Sequence, residues 1–136
     1  MNEFLWPVRV YYEDTDTAGV VYYANYLKFM ERARTELLRS LGFEQDELRE
    51  SNGVIFAVHS LQVEYRIPAR FNDLLQVSAT IKQSGKASIT FDQQVCREPD
   101  QALLCSGKVK IACLNASNLR PTAIPDSIRK EINRAD

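Results

Sequence analysis

The sequence predicts a single α+β domain, residues 1–136, in which one long antiparallel sheet wraps around one central helix. Three observations predict it. A helical apolar period occupies one long segment, from Tyr22 to Leu41. Four strand-like runs of about ten residues follow, separated by short turn-forming segments. Apolar residues make up 45% of the 136, enough for one core without disulfide or metal staples. A lone amphipathic helix must bury its stripe, and a sheet must bury one face. Wrapping the sheet around the helix satisfies both.

The elements can be justified in order. Val8-Arg9-Val10-Tyr11-Tyr12 alternates and reads as a strand. Asp14 to Gly19 is small and polar and reads as a loop. Tyr22, Tyr26, Phe29, Met30, Ala33, Leu37 and Leu41 then share one face of a helix of about five turns. Gly42 is placed to close it in the left-handed conformation. Glu44–Asn52 reads as a charged loop. The strand runs are Val54–Arg66, Leu74–Gln83, Ser88–Arg97 and Ala102–Leu114. Turn residues at 68–73, 84–86 and 98–100 predict an antiparallel meander. Asp126 is the expected N-cap of a short terminal helix. This is the hotdog architecture. Its long open edges predict dimerisation into a longer continuous sheet.

Composition excludes several functions. With 17 basic and 18 acidic residues the net charge is −1, which gives no basic footprint for nucleic acid. His59 is the single histidine, so no His-pair metal site is possible. Chemistry must rest on carboxylates, tyrosines, hydroxyls or backbone amides, and no cofactor is called for. Cys96, Cys105 and Cys113 are odd in number and lack CxxC spacing, as reduced strand residues of a cytoplasmic protein would be. The sequence shows neither a secretory signal pattern nor an apolar run of about 18 residues for a membrane helix.

The densest chemistry lies in YEDTDTAGVVYYANY, residues 12–26. Two carboxylates sit in a loop just before the long helix. A helix N-terminus offers unpaired N–H groups and partial positive charge, which polarise a carbonyl oxygen. A carboxylate beside them can attack the carbonyl carbon or activate a water. This suffices for ester or thioester hydrolysis without histidine. A plain turn-forming role for Asp14 and Asp16 competes with that reading. A calcium loop does not fit, because Ala18 and Asn25 stand where ligands are needed.

YEDTDTAGVVYYANYLKFMERAR followed by VEYRIPARFNDLLQV resembles the 4-hydroxybenzoyl-CoA thioesterase family of hotdog proteins, from about Trp6 to Ile132. The closest resemblance is to the branch of acyl-CoA thioesterases encoded beside the Tol-Pal envelope genes of Gram-negative bacteria. The resemblance implies that Asp16 is the catalytic acid, as nucleophile or as general base. It also implies that the backbone N–H of Tyr23 polarises the thioester oxygen. The Tol-Pal-associated branch often has histidine at the position of Tyr23, and the benzoyl-type branch has tyrosine. Asp14 takes a loop-shaping role. Asn25 is expected to contact substrate or to support the loop. Lys86 and Ser88, in the Ser84–Ser88 hairpin, match the family segment that contacts the CoA nucleotide and phosphates, and Arg120 aligns with a second basic contact. His59 matches no catalytic position, so a structural or cleft-lining place is expected for it.

These readings imply a cytoplasmic hydrolase that cleaves small or medium acyl-CoA thioesters. It is a dimer at minimum and a homotetramer by resemblance, with acyl carrier protein or lipid-synthesis enzymes as further partners. The alternative is a non-catalytic module of the same fold that binds acyl-CoA or acyl carrier protein, or serves as an interaction subunit.

Overall fold

The computed structural model describes residues 3–135. Five strands form one antiparallel sheet in the order β1-β3-β4-β5-β2: β1 Phe4–Arg9, β2 Val54–Tyr65, β3 Leu74–Ser84, β4 Ser88–Glu98 and β5 Ala102–Asn115. Helix α1, Asn25–Ser40, packs against one face of the sheet, over β1, β3 and β4. Its apolar stripe of Tyr26, Phe29, Met30, Ala33, Leu37 and Leu38 is buried in the same core as Val77, Ile89, Phe91 and Val109. Gly107 on β5 makes room for it, since a Cβ there would come within 3.1 Å of the Met30 side chain. α1 ends in a Schellman motif: Phe43 N–H reaches Leu38 O and Gly42 N–H reaches Arg39 O, with Gly42 at φ +98°. The cap expected at Gly42 is therefore present. No helix among the described residues is long and apolar enough to cross a membrane.

Several expectations are corrected. The first strand begins and ends earlier than Val8–Tyr12, at Phe4–Arg9, sharing only Val8 and Arg9 with it, and Tyr12–Asp14 form a 3₁₀ turn. The helix starts at Asn25, so Tyr22 is exposed instead of sharing the buried stripe with Tyr26. Glu44–Asn52 is not a loop. It contains a helix, α2 Gln45–Asn52, whose one buried apolar residue, Leu48, leaves no readable period. The last helix, α3 Asp126–Ala135, begins on Asp126 itself, and Pro125 O accepts from Ile128 and Arg129.

The meander holds only for β3-β4-β5. Both flanks of β3 are taken, by β1 and β4, so β2 pairs with β5 at the opposite edge. Residues 66–73 are therefore a crossover over one end of the sheet. Arg66 and Ile67 N–H donate to Leu104 O, Ala69 N–H donates to the Tyr26 hydroxyl, and Asn72 N–H donates to Val10 O. This crossover supports the loop that leads into α1.

Candidate active site

The 15–21 segment is a small hairpin laid on the crossover. Thr15 bridges Val21, Val20 bridges Arg70, and Val21 N–H donates to Ala69 O at 2.8 Å. Its tip is a tight turn in which Gly19 N–H reaches Asp16 O at 3.0 Å and Gly19 takes φ +79°, a conformation that favours glycine. Asp16 opens that turn, and its Oδ1 accepts from Ala18 N–H at 2.9 Å. The turn-forming role is thus real, but it uses one oxygen. Oδ2 has no hydrogen-bond partner among the described residues. Asp16 is exposed and lines a depression of about 650 Å³ with Tyr12, Thr15, Thr17, Gly19 and Phe71. The Tyr12 and Phe71 rings meet at 5.6 Å and give this depression an exposed aromatic rim.

Asp14 is built differently. It is buried, with Oδ1 accepting from Asn25 Nδ2 at 2.9 Å and Oδ2 from Tyr11 N–H at 2.8 Å. Its main-chain oxygen takes Tyr22 N–H at 2.9 Å. These bonds pin the loop to the start of α1. Of the two roles expected for Asn25, loop support is the one its buried amide serves.

Tyr23 stands two residues before α1, in a turn closed by Asn25 N–H on Tyr22 O. No acceptor among the described residues takes the N–H of Tyr23 or Ala24. The Tyr23 ring lies 4.8 Å from Tyr22 and 6.4 Å from Tyr65, beside a smaller depression of about 190 Å³ lined by Val21, Tyr26, Tyr65 and Arg66–Pro68. Asp16 and Tyr23 thus belong to one loop but face different depressions in the single chain.

The residues expected to hold CoA lie elsewhere. Ser88 pairs with Ala112 near the far end of β5, and Ile124 N–H donates to Lys86 O at 2.8 Å. Arg120 O accepts from Asn115 N–H at that same end. The Asp16 loop sits at the Leu74 end of β3, because Asn72 and Asp73 bond Val10. The two groups are separated by the 11 residues of β3, about 35 Å. One chain does not bring them together. His59 is exposed at the β2 bulge, where the register shifts between Val58 and Ser60. The cysteines are unpaired. No cluster among the described residues has metal-ligand geometry. The sequence reading gave no site role to Phe71 and Tyr65, which the fold brings to Tyr12 and Tyr23 from far along the chain. For Phe71, an aromatic in a turn segment was the available signal.

Comparison with known proteins agrees with this architecture. The family model of the thioesterase-like superfamily matches residues 10–132. An acyl-CoA thioesterase YbgC of Haemophilus influenzae is 43% identical over 128 residues, 94% of this chain and 93% of that protein. A probable thioesterase of Bartonella henselae, at 32% identity, superposes with a TM-score of 0.86 over 91% of this chain and all of that one. A DHNA-CoA thioesterase of Staphylococcus aureus shares the fold with a TM-score of 0.92 at 20% identity, over 99% and 91% of the two chains. With its helix held in a five-stranded antiparallel sheet, the chain belongs to the thioesterase-like superfamily of hotdog thioester hydrolases.

Proposed function

We propose that this protein hydrolyses small or medium acyl-CoA thioesters to the free acid and CoA, with Asp16 as the base or nucleophile. The observation that carries the reading is the exposed Asp16 carboxylate, with one oxygen unengaged over the 650 Å³ depression. A pocket of that volume suits a small-molecule substrate. The loop that holds Asp16 runs directly into the unpaired N–H groups of Tyr23 and Ala24. Attack on the thioester carbon puts negative charge on the carbonyl oxygen, which these donors stabilise at the helix end. Asp16 either takes the proton of an attacking water or attacks itself, forming a mixed anhydride that water then cleaves to the free acid. In both routes the C–S bond breaks and the leaving thiolate takes up a proton derived from that water to become the CoA thiol.

The site is completed by a second copy. Strand β2 is a 12-residue open edge with Val58, Leu61 and Tyr65 exposed, whereas the other edge is six residues long and carries Pro7, which has no N–H to offer. Two-fold antiparallel pairing of β2 edges sets the Val54 end of one copy beside the Tyr65 end of the other. The Lys86–Arg120 end of one subunit then approaches the Asp16 end of its partner. We assign the protein to the cytoplasm, where its three free thiols persist, as a homodimer or a tetramer built from two such dimers. Acyl carrier protein is a further candidate carrier of the acyl group.

Subunit mixing tests this reading. Asp16→Asn and the double variant Lys86→Ala/Arg120→Ala should each be weak alone on a panel from acetyl- to palmitoyl-CoA with benzoyl-CoA, assayed at substrate below KM. Refolded together, they form hybrids in which one site has both an intact Asp16 and an intact Lys86, so thiol release recovers. No recovery would place the two groups in separate functions. Absence of thiol release from the wild type on every thioester would favour the non-catalytic binding module.

A further inference from the structure

Tyr65 is the last residue of β2, and its hydroxyl donates to the main-chain oxygen of Tyr23 at 3.0 Å. That oxygen belongs to the peptide unit whose N–H is that of Ala24, one of the two unpaired donors before α1. The bond joins residues 42 apart in sequence and ties the edge strand to the turn. The Tyr65 ring is itself held, 5.4 Å from Tyr26 and 6.4 Å from Tyr23, both edge-on. Tyr26 is fixed in turn by the Ala69 N–H on its hydroxyl. Donation to a carbonyl oxygen polarises the whole peptide unit and makes its N–H a stronger donor. It also stops residue 23 from rotating.

We propose that Tyr65 is a positioning residue for the carbonyl-polarising turn, holding residue 23 so that the Tyr23 and Ala24 N–H groups stay aimed at the substrate oxygen. The inference rests on the thioesterase reading above. Tyr65 has no place in the motif that marks the loop and lies on the edge strand proposed to pair with a second copy. Assembly and alignment of the turn are therefore linked through one side chain. Partial burial raises the Tyr65 phenol above its ordinary value, so it stays a donor at neutral pH.

Tyr65→Phe keeps the ring and removes the donor. Two measurements test the inference. In the ¹⁵N–¹H spectrum of the free protein, the Tyr23 and Ala24 amides should shift, Ala24 the more because its own peptide unit loses the bond. On the best thioester of the panel above, kcat should fall about 3- to 10-fold with KM within two-fold, because an aimed N–H acts mainly in the transition state. Unchanged amides at 23 and 24 would overturn the inference, as would a wild-type kcat. A wild type inactive on every thioester would sink the thioesterase reading instead, while the amide measurement would still decide whether Tyr65 holds the turn.

Discussion

Asp14 and Asp16 stand two residues apart in one loop and have opposite environments. Asp14 is 6% exposed, and each of its carboxylate oxygens accepts a hydrogen bond, one from Asn25 and one from Tyr11. Asp16 is exposed, spends one oxygen on the Ala18 N–H, and keeps the other for a cavity. A carboxylate whose acceptor sites are taken by buried donors is part of the scaffold. A carboxylate with spare lone pairs over a pocket is available to a reacting atom. Nearness in sequence says nothing about which acid does which. The partners decide it, and those of Asp14 also explain why Asp16 stays where it is.

The largest effect should come from Asp16→Asn. The amide oxygen can still accept from Ala18, so the turn and the melting temperature should be kept. Base or nucleophile function is lost, and kcat should fall about 10²–10⁴-fold in a thiol-release assay. A variant with near wild-type turnover would erase the distinction between the two acids. Asp14→Ala should do the reverse. It leaves the buried Asn25 amide and the Tyr11 N–H without their partner, at a cost of about 1–3 kcal/mol, read by denaturant or thermal unfolding. In a double-mutant cycle Asp14→Ala and Asn25→Ala should be less than additive, as expected for direct partners.

The contrast shows what sequence patterns can carry. α1 was legible because six buried apolar residues recur on one face, and four strands were legible because turn residues bracket each. α2 was not, since one buried residue makes no period. The β2–β5 pairing was not, because strand order depends on which edges of β3 are already occupied, and no local signal reports that. At the site, the loop-shaping role of Asp14 could be read from a polar loop. Its link to Asn25 spans 11 residues and needs the fold. The Tyr65 bond spans 42 and rests on the crossover. The structure puts Lys86, Ser88 and Arg120 together at one end of the sheet. Their distance from Asp16 is set by strand length and register, which a motif does not encode.

Smaller effects sharpen the contrast. Tyr23→Ala retains the backbone N–H, so it should lower kcat less than Asp16→Asn does, by under about ten-fold, since one oxyanion donor is worth about 2.7–4 kcal/mol only when it is itself removed. Lys86→Ala removes an exposed cation expected to meet the phosphate end of CoA and not the thioester. It should raise KM for an acyl-CoA a few-fold, more at low salt than at high, and leave kcat unchanged.

The smallest effect should belong to the other nucleophiles in the chain, the thiols. Cys105 is fully buried on β5, and burial pushes its thiol up to about 11. It is therefore protonated at neutral pH and cannot compete with an exposed carboxylate. Iodoacetamide at pH 8 should leave the activity of the native protein unchanged while alkylating Cys105 in denaturant. The same burial sets the sign of a stability effect. Between about 9 and about 11 the unfolded chain has lost the Cys105 proton and the folded chain still holds it. Unfolding then releases a proton, so stability should fall as pH rises through that window. Cys105→Ala should flatten that slope with Asp16-dependent turnover at neutral pH preserved. Rapid inactivation by the reagent at pH 8 would mean that the thiol, and not the carboxylate, is the exposed group.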